Sequence, residues 1–150
     1  MATVTYTINK AEVMTEVAKA TGYTGAKMVG DDTAYDRVLA TDEDLADLGI
    51  FWTEACDAVT DLLKPYLTSV NISDDYAATT SMPSGYDPTL TASIESRLQG
   101  FFVLYITSRW FKYANKPEAE GTLAEAEGML QDAKRKIYHR KRPVRPTTFN

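Results

Sequence analysis

The sequence predicts a mostly α-helical protein: a bundle of three long helices, a short N-terminal helix and minor β structure. Two patterns support this prediction. Apolar residues recur three and four positions apart over three long segments, which is the period of a buried helical face. Residues 2–8 alternate instead, as in a β-strand. The 150 residues are 44% hydrophobic and 25% charged, which is typical of one globular domain.

The N-terminal region begins with the predicted strand, in which Val4, Tyr6 and Ile8 share one face and threonines occupy the other. A single strand has no ladder partner, so it must pair elsewhere in the chain or with another chain. Asn9-Lys10-Ala11-Glu12 has the spacing of a capping box and predicts a short helix, which Gly22 would end. Residues 22–40 lack the patterns of a phosphate-binding or calcium-binding loop and predict a flexible connection.

The first of the three long helices is predicted over residues 42–67, with Thr41 as its N-cap and acidic residues in its first turn. Pro65 should end or bend its last turn. Phe51 and its neighbour Trp52 could line a ligand pocket, but their spacing favours core packing, as does that of Cys56. The apolar face comprises Leu45, Leu48, Trp52, Ala55, Val59, Leu62 and Tyr66.

Residues 68–87 are rich in Ser, Thr, Asp and Gly and predict a long loop, within which residues 70–79 have the pattern of a short hairpin. The most apolar segment follows, and Asp87-Pro88 is a good start for a central helix over 88–114. Its unbroken apolar run covers only residues 101–106, too short to span a membrane. The wider apolar set is Leu90, Ile94, Leu98, Phe101, Phe102, Val103, Leu104, Tyr105, Ile106, Trp110 and Phe111.

The third long helix is predicted over 117–139, beginning at Pro117, with an Ala-rich apolar stripe that permits close helix approach. We therefore expect one helical domain over residues 1–139, with a strand-like arm at 1–8 and the long loop at 68–87. An extended C-terminal arm over 140–150 should follow, because its two prolines forbid a helix. The stripe comprises Ala119, Leu123, Ala126, Leu130, Ala133 and Ile137.

Charge is strongly segregated along the chain. Residues up to Asp132 include all 21 acidic and nine basic residues, a net charge of −12, whereas seven basic residues follow. Segregation of this kind is typical of an interaction tail. With the aromatic Phe149, these cations are the candidate partner-binding residues: Lys134, Arg135, Lys136, Arg140, Lys141, Arg142, Arg145 and Phe149.

Three interpretations of the basic tail remain open. It is a solvated helix end that aids solubility, a phosphate-neutralising nucleic-acid site, or a segment that docks on an acidic protein surface. The tail lacks interleaved aromatic residues, which disfavours recognition by base stacking. The acidic body of a neighbouring copy supplies a matching surface, and an unpaired strand with an extended arm would suit assembly through exchanged termini.

No catalytic residue, cofactor site or metal site is predicted. Cys56 and His139 are the chain's one cysteine and one histidine, too few for a metal-ligand pattern or an internal disulfide. No nucleophile or orienting carboxylate is assigned to His139, and hydrolase, zinc-protease and Walker motifs are absent from the sequence. The N-terminus lacks the apolar segment of a secretory signal, so we expect a protein of the cytoplasm or of a particle assembled there.

Two stretches carry a resemblance: TDEDLADLGIFWTEACDAVTDLLKPYL, and later RLQGFFVLYITSRWFKYANKPEAEGTLAEAEGMLQDAKRKIYHRKRP. Together they resemble the head–tail adaptor (connector, or neck) proteins of tailed bacteriophages. In that family an acidic-started helix precedes a helix ending in a segment like YITSRWF, and a short turn and a last helix follow. The likeness covers residues 41–145, whereas 1–40 and 68–87 have no counterpart.

The resemblance implies a non-enzymatic virion structural protein assembled in the bacterial host cytoplasm. It implies a homo-oligomeric ring, commonly a dodecamer, between the portal protein and the tail or a second neck protein. DNA would pass through the lumen without sequence specificity, and the C-terminal arm would dock on a neighbouring subunit or on the portal. The alternative is a small nucleic-acid-binding protein that acts through its basic tail.

Overall fold

The computed structural model describes residues 2–27, 45–114 and 116–142, and this part of the chain is mostly helical. It contains four helices and a small three-stranded antiparallel sheet, which confirms the predicted mostly α class with minor β structure. In chain order the elements are β1 (Ala2–Ile8), α1 (Lys10–Lys27), α2 (Leu45–Leu63), β2 (Leu67–Ile72), β3 (Tyr76–Met82), a 3-10 turn (Pro88–Leu90), α3 (Thr91–Ala114) and α4 (Lys116–Tyr138).

The sheet has the strand order β1-β3-β2, so β1 pairs within its own chain. Ala2 lies opposite Met82 and Ile8 lies opposite Tyr76, in antiparallel register. Of the two partners that the sequence left open for the N-terminal strand, the structure shows the one in the same chain. Residues 2–8 are therefore part of the sheet, which corrects the prediction of a strand-like arm: burial of the apolar face of β1 holds it there.

The segment predicted as a long loop at 68–87 is mostly β structure. Strands β2 and β3 form a hairpin whose turn contains Asp74 and Asp75, as the hairpin pattern predicted, but both strands are longer than expected. Thr80 shows why the sequence was misleading, because this polar side chain is fully buried. Its Oγ1 donates to the Val4 carbonyl at 2.9 Å, which satisfies the hydroxyl inside the sheet.

Helix α3 lies at the centre of the described fold, in contact with α1, α2, α4 and β1. Leu98, Phe101, Phe102 and Ile106 are buried along it, as the apolar pattern predicted. The Phe102 ring lies 4.7 Å from the Trp52 ring and 5.7 Å from the Tyr76 ring, between centroids. One aromatic cluster therefore joins α3 to α2 and to the sheet.

Helix α1 is longer than predicted. Asn9 Oδ1 accepts from the Glu12 N–H at 2.9 Å, so the predicted cap is present, but the helix continues past Gly22 to Lys27. A glycine inside a helix costs only about 1 kcal/mol, so Gly22 does not by itself end the helix. The predicted connection over 28–40 lies outside the described residues.

The ends of the other helices follow the local sequence signals. Helix α2 ends at Leu63 instead of the predicted residue 67, because Pro65 disfavours helical geometry at the residue before it. Asp87 Oδ1 accepts from the Thr89 N–H at 3.0 Å, which confirms Asp87 as the cap before α3. Helix α4 matches its predicted range within one residue at each end. The predicted start of α2 lies outside the described residues.

Candidate interaction site

Asp132 is the centre of an ion-pair cluster near the end of α4. Arg135 Nη2 lies 3.0 Å from Asp132 Oδ1, and Lys136 Nζ lies 3.3 Å from Asp132 Oδ2. Lys136 Nζ also donates to Ser93 Oγ on α3 at 2.5 Å. Arg97, also on α3, brings its Nε to 3.0 Å from Asp132 Oδ2. Lys136 therefore joins α4 to α3, whereas Arg135 pairs only within its own helix and its side chain is 79% exposed.

The Asp132 carboxyl is held in its ionised form by these cations. Its partial desolvation acts to raise its pKa. The hydrogen bond from Lys136 and the positive charges of Lys136, Arg97 and Arg135 outweigh that effect, so the pKa of Asp132 is lower than usual. The cluster therefore links the last turns of α4 to the first turns of α3 at neutral pH.

Arg140 fastens the chain just after α4 ends. Its Nη2 donates to Tyr66 Oη at 2.5 Å, and its Nη1 donates to the Ile137 and His139 carbonyls, both at 2.9 Å. The guanidinium also lies over the Tyr66 ring, 5.5 Å from its centroid. A cation bound to the last helical carbonyls is a favourable C-terminal arrangement, so Arg140 acts as a clamp at the base of the arm.

The backbone beside this clamp is fixed as well. The Lys141 N–H donates to the Gly85 carbonyl at 2.8 Å, and Arg140 forms an isolated antiparallel bridge with Tyr86. A Cβ on Gly85 would lie 3.0 Å from Arg140 Cδ, so glycine leaves the room that the arginine side chain needs. Arg140 and Lys141 thus contact the body, and most of the extended arm predicted over 140–150 lies outside the described residues.

The remaining candidate residues divide into two groups. Lys134, Lys141 and Arg142 are exposed and belong to the described residues. Arg145 and Phe149 lie outside the described residues, together with the rest of 143–150. The structure therefore assigns the described cations to two different tasks, because Lys136 and Arg140 bind other elements of the chain, whereas Lys134, Arg135, Lys141 and Arg142 are exposed.

A groove of about 650 Å³ crosses the surface where α3 meets α1 and α4. We call it the α3–α4 groove. Its carboxylates come from three different helices, and no Lys, Arg or His is among the described residues that line it. Its apolar floor adjoins a second depression of about 360 Å³ that shares Leu104, Glu125 and Met129. The carboxylates are Glu16, Glu95 and Glu125, and the apolar lining comprises Ala92, Gly100, Val103, Leu104 and Met129.

The outer face of α2 is a second acidic surface. Asp47, Asp57 and Asp61 are exposed along it, and Ile50 is 58% exposed between them. Glu54 on the same face is bound inside the chain, because its carboxylate accepts from Tyr105 Oη at 2.6 Å and from Arg109 Nη2 at 3.3 Å. The body's negative charge is thus spread over more than one face.

The described residues provide little for catalysis. Cys56 is fully buried, and its burial raises the pKa of the thiol to about 12, so the reactive thiolate is scarce at neutral pH. His139 is exposed, and no hydrogen bond orients its ring within the described part of the chain. Within the same part, no cluster of His, Cys, Asp or Glu could hold a metal ion, and no helix is long and apolar enough to cross a membrane.

The sequence did not reveal the α3–α4 groove or the Arg140 clamp. Glu16 and Glu125 are far apart in the chain and come together only because α1 and α4 both pack on α3. The available signal for the clamp was a cation one residue beyond the predicted helix end, where it can bind the last carbonyls. Its aromatic partner Tyr66 had no local signal.

Comparisons with known proteins identify no relative of this chain. No family model matches it, and no curated protein or solved structure is significantly similar to it. The function is therefore proposed from the chain's own residues and from the resemblance described above.

Proposed function

We propose that this protein is a non-enzymatic virion structural protein, a ring-forming adaptor at the head–tail junction of a tailed phage. In this proposal α2, α3 and α4 form the helical bundle of the ring wall, and the C-terminal arm docks on a neighbouring subunit or on the portal. The observation that carries the proposal is the charge segregation, −12 up to Asp132 and +7 after it. Arg140 supports it further, because the clamp fixes the point at which the arm leaves the body.

Segregated charge favours association between copies of the same chain. An exposed cationic segment on one copy attracts the acidic surface of the next, and such head-to-tail contacts close into rings when the rotation between copies allows. Asp47, Asp57 and Asp61 on α2, together with the carboxylates of the α3–α4 groove, supply the acidic surface. Long-range attraction of this kind also speeds encounter at low salt.

The identity of the partners rests on the sequence resemblance. The ring, commonly a dodecamer in that family, would bind the portal protein on one side and the tail or a second neck protein on the other. DNA would pass through the lumen without sequence-specific contact, and the mature location would be the virion. Helix α3, which ends in the YITSRWF segment and is buried on several sides, is consistent with a rigid wall.

Nucleic-acid binding through the tail is less well supported. Arg135, Lys136 and Arg140 already bind groups of their own chain. Fewer cations are then available to neutralise phosphates, and the acidic body repels a polyanion. We therefore expect weak affinity for DNA despite the basic tail.

Native mass spectrometry of the full chain, alone and mixed with portal protein, tests the proposal. We expect closed oligomers or a complex with the portal, and we expect deletion of residues 140–150 to abolish co-assembly without unfolding the protein. If the protein is strictly monomeric and does not bind the portal protein, the adaptor function is contradicted.

A titration with random-sequence duplex DNA tests the alternative. The adaptor proposal predicts weak binding at about 0.15 M salt. Micromolar or tighter binding that is lost on deletion of residues 140–150, and whose logarithm falls steeply with log salt, would favour a nucleic-acid-binding protein.

A further inference from the structure

We propose that the α3–α4 groove of one copy binds residues 143–150 of the neighbouring copy. This inference rests on the proposed ring and names the surface that receives the arm. The groove lies on α1, α3 and α4, away from Tyr66 and Gly85, where the arm is fastened. The receiving surface and the departing arm therefore occupy different places on each copy, as a head-to-tail contact requires.

The chemistry of the groove matches the chemistry of the segment. The groove offers carboxylates at its rim and aliphatic and thioether side chains at its floor. Glu125 is exposed and has no hydrogen bond or ion pair within the described part of the chain. Residues 143–150 carry one cation, Arg145, between the apolar Val144 and the aromatic Phe149. A guanidinium can bind a rim carboxylate bidentately while an aromatic ring packs on the apolar floor.

The length of the groove also matches the length of the C-terminal segment. From Ala92 to Leu104 the groove follows α3 for twelve residues, which is about 18 Å at the helical rise. An extended chain advances about 3.3 Å per residue, so five or six residues fill that length. The stretch from Val144 to Phe149 has this size. Pro143 and Pro146 restrict the backbone of the segment, which lowers the entropy lost on binding.

One glycine lines the groove and another lines the depression that adjoins it. A Cβ on Gly100 would meet Met129 Sδ at 3.4 Å, so glycine at this position lets the floor lie close to α4. A Cβ on Gly128 would meet nothing within 4 Å, so the adjoining depression is open on the α4 side. An extended backbone can therefore approach α4 closely beside Glu125.

The occupant is assigned to a second copy because the inference rests on a ring of identical chains. Arg140 is bound to Tyr66, which does not line the groove. In a head-to-tail ring, the arm of one copy meets a surface of the next copy that differs from its own point of attachment.

Charge reversal tests the groove with a matched control. Glu125→Lys should weaken self-association of the full chain roughly tenfold or more, because it places a cation where Arg145 binds. Glu127→Lys makes the same change on the same helix at an exposed residue that does not line the groove, and it should leave self-association within about twofold of the unchanged protein. The double variant Glu125→Lys with Arg145→Glu should recover most of the loss. Equal effects of the two single variants would overturn the proposal.

Crosslinking gives an independent test in the full chain. A benzophenone amino acid at Phe149 should crosslink to the peptides that contain Leu104 or Met129. In a mixture of isotope-labelled and unlabelled chains, the crosslinks should join labelled to unlabelled copies. Crosslinks only within single copies, or to peptides outside the groove, would overturn the assignment.

The outcomes also separate this inference from the proposed function. If the full chain forms rings or binds the portal but Glu125→Lys has no effect, the groove assignment fails and the adaptor function stands. If the full chain neither self-associates nor binds the portal, the adaptor function fails, and the groove assignment fails with it.

Discussion

The two ends of the described chain meet at Tyr86, yet they are held by different forces. Tyr86 Oη lies 2.9 Å from Tyr6 Oη on β1, and the Tyr86 backbone bridges Arg140. Strand β1 is held by a ladder along its whole length and by the complete burial of Tyr6 and Ile8. Residues 140–142 are held by one arginine side chain and one further backbone hydrogen bond.

This difference follows from the composition of the two ends. The apolar face of β1 removes large side chains from water, and each such burial is worth about 1.5–3 kcal/mol. The C-terminal segment has no apolar period and is anchored by contacts of a partly exposed cation, which are weaker because water competes for them. Strand β1 is therefore a permanent part of the core, whereas the C-terminal segment remains available to a partner.

The largest expected effect tests the N-terminal half of this comparison. Ile8→Ala should lower the free energy of unfolding by roughly 2–5 kcal/mol, because it leaves a cavity beneath the sheet. Thr3→Val, on the exposed face of the same strand, should change it by less than about 0.5 kcal/mol. Urea denaturation followed by tryptophan fluorescence measures both. A loss below about 0.5 kcal/mol for Ile8→Ala would mean that β1 is peripheral.

A smaller effect is expected at the C-terminal end. Arg140→Ala should lower the free energy of unfolding by about 1–2 kcal/mol, since it removes charge-assisted hydrogen bonds to Tyr66 and to two carbonyls. Hydrogen exchange should accelerate at the Lys141 amide and stay unchanged in β1. Arg140→Lys keeps the charge and should still lose much of the protection, because an ammonium cannot reproduce the planar fork. Unchanged exchange at Lys141 in Arg140→Ala would contradict the clamp.

The smallest expected effect depends on pH. The pKa of Asp132 is lower in the folded protein than its unfolded value of about 3.9, so its ionised form stabilises the fold above that pH. The contribution is lost as the pH falls through the folded pKa. Asp132→Asn should therefore lower the urea midpoint at pH 7 and differ less from the unchanged protein in strong acid. Asp61→Asn, at an exposed residue of α2, controls for the loss of one charge. If Asp132→Asn lowered the urea midpoint equally at pH 7 and in strong acid, the role of the Asp132 cluster would be contradicted.

The helices were predictable where strong local signals agreed with burial. Asp87-Pro88, Pro117 and the apolar spacing of Leu98 and Phe101 each marked a boundary or a face that the structure contains. The strands were harder to predict, because a polar side chain such as Thr80 occupies a core position and is satisfied only by a residue far away in sequence. The predicted α1 was too short, because glycine only weakly disfavours a helix interior and Gly22 does not end this helix.

The sequence predicted which residues make up the candidate site but not how they are arranged. The sequence identified the basic residues, but it did not separate Lys136, which binds Asp132 and Ser93, from Lys134, which is exposed. That separation depends on which side of α4 faces Arg97 and Ser93 of α3. The groove depends on the packing of three helices, which no local pattern specifies.

The pairing of β1 with β3 has a consequence for synthesis. Their paired residues are 68 to 80 positions apart in the chain. At about 5–20 residues per second, β1 waits roughly 3–16 seconds on the ribosome before its partner has been made. During that interval β1 has no strand to pair with, so the nascent chain exposes an apolar β-forming segment that chaperones can bind. The strand that is translated first therefore depends for its pairing on the strand that is translated last.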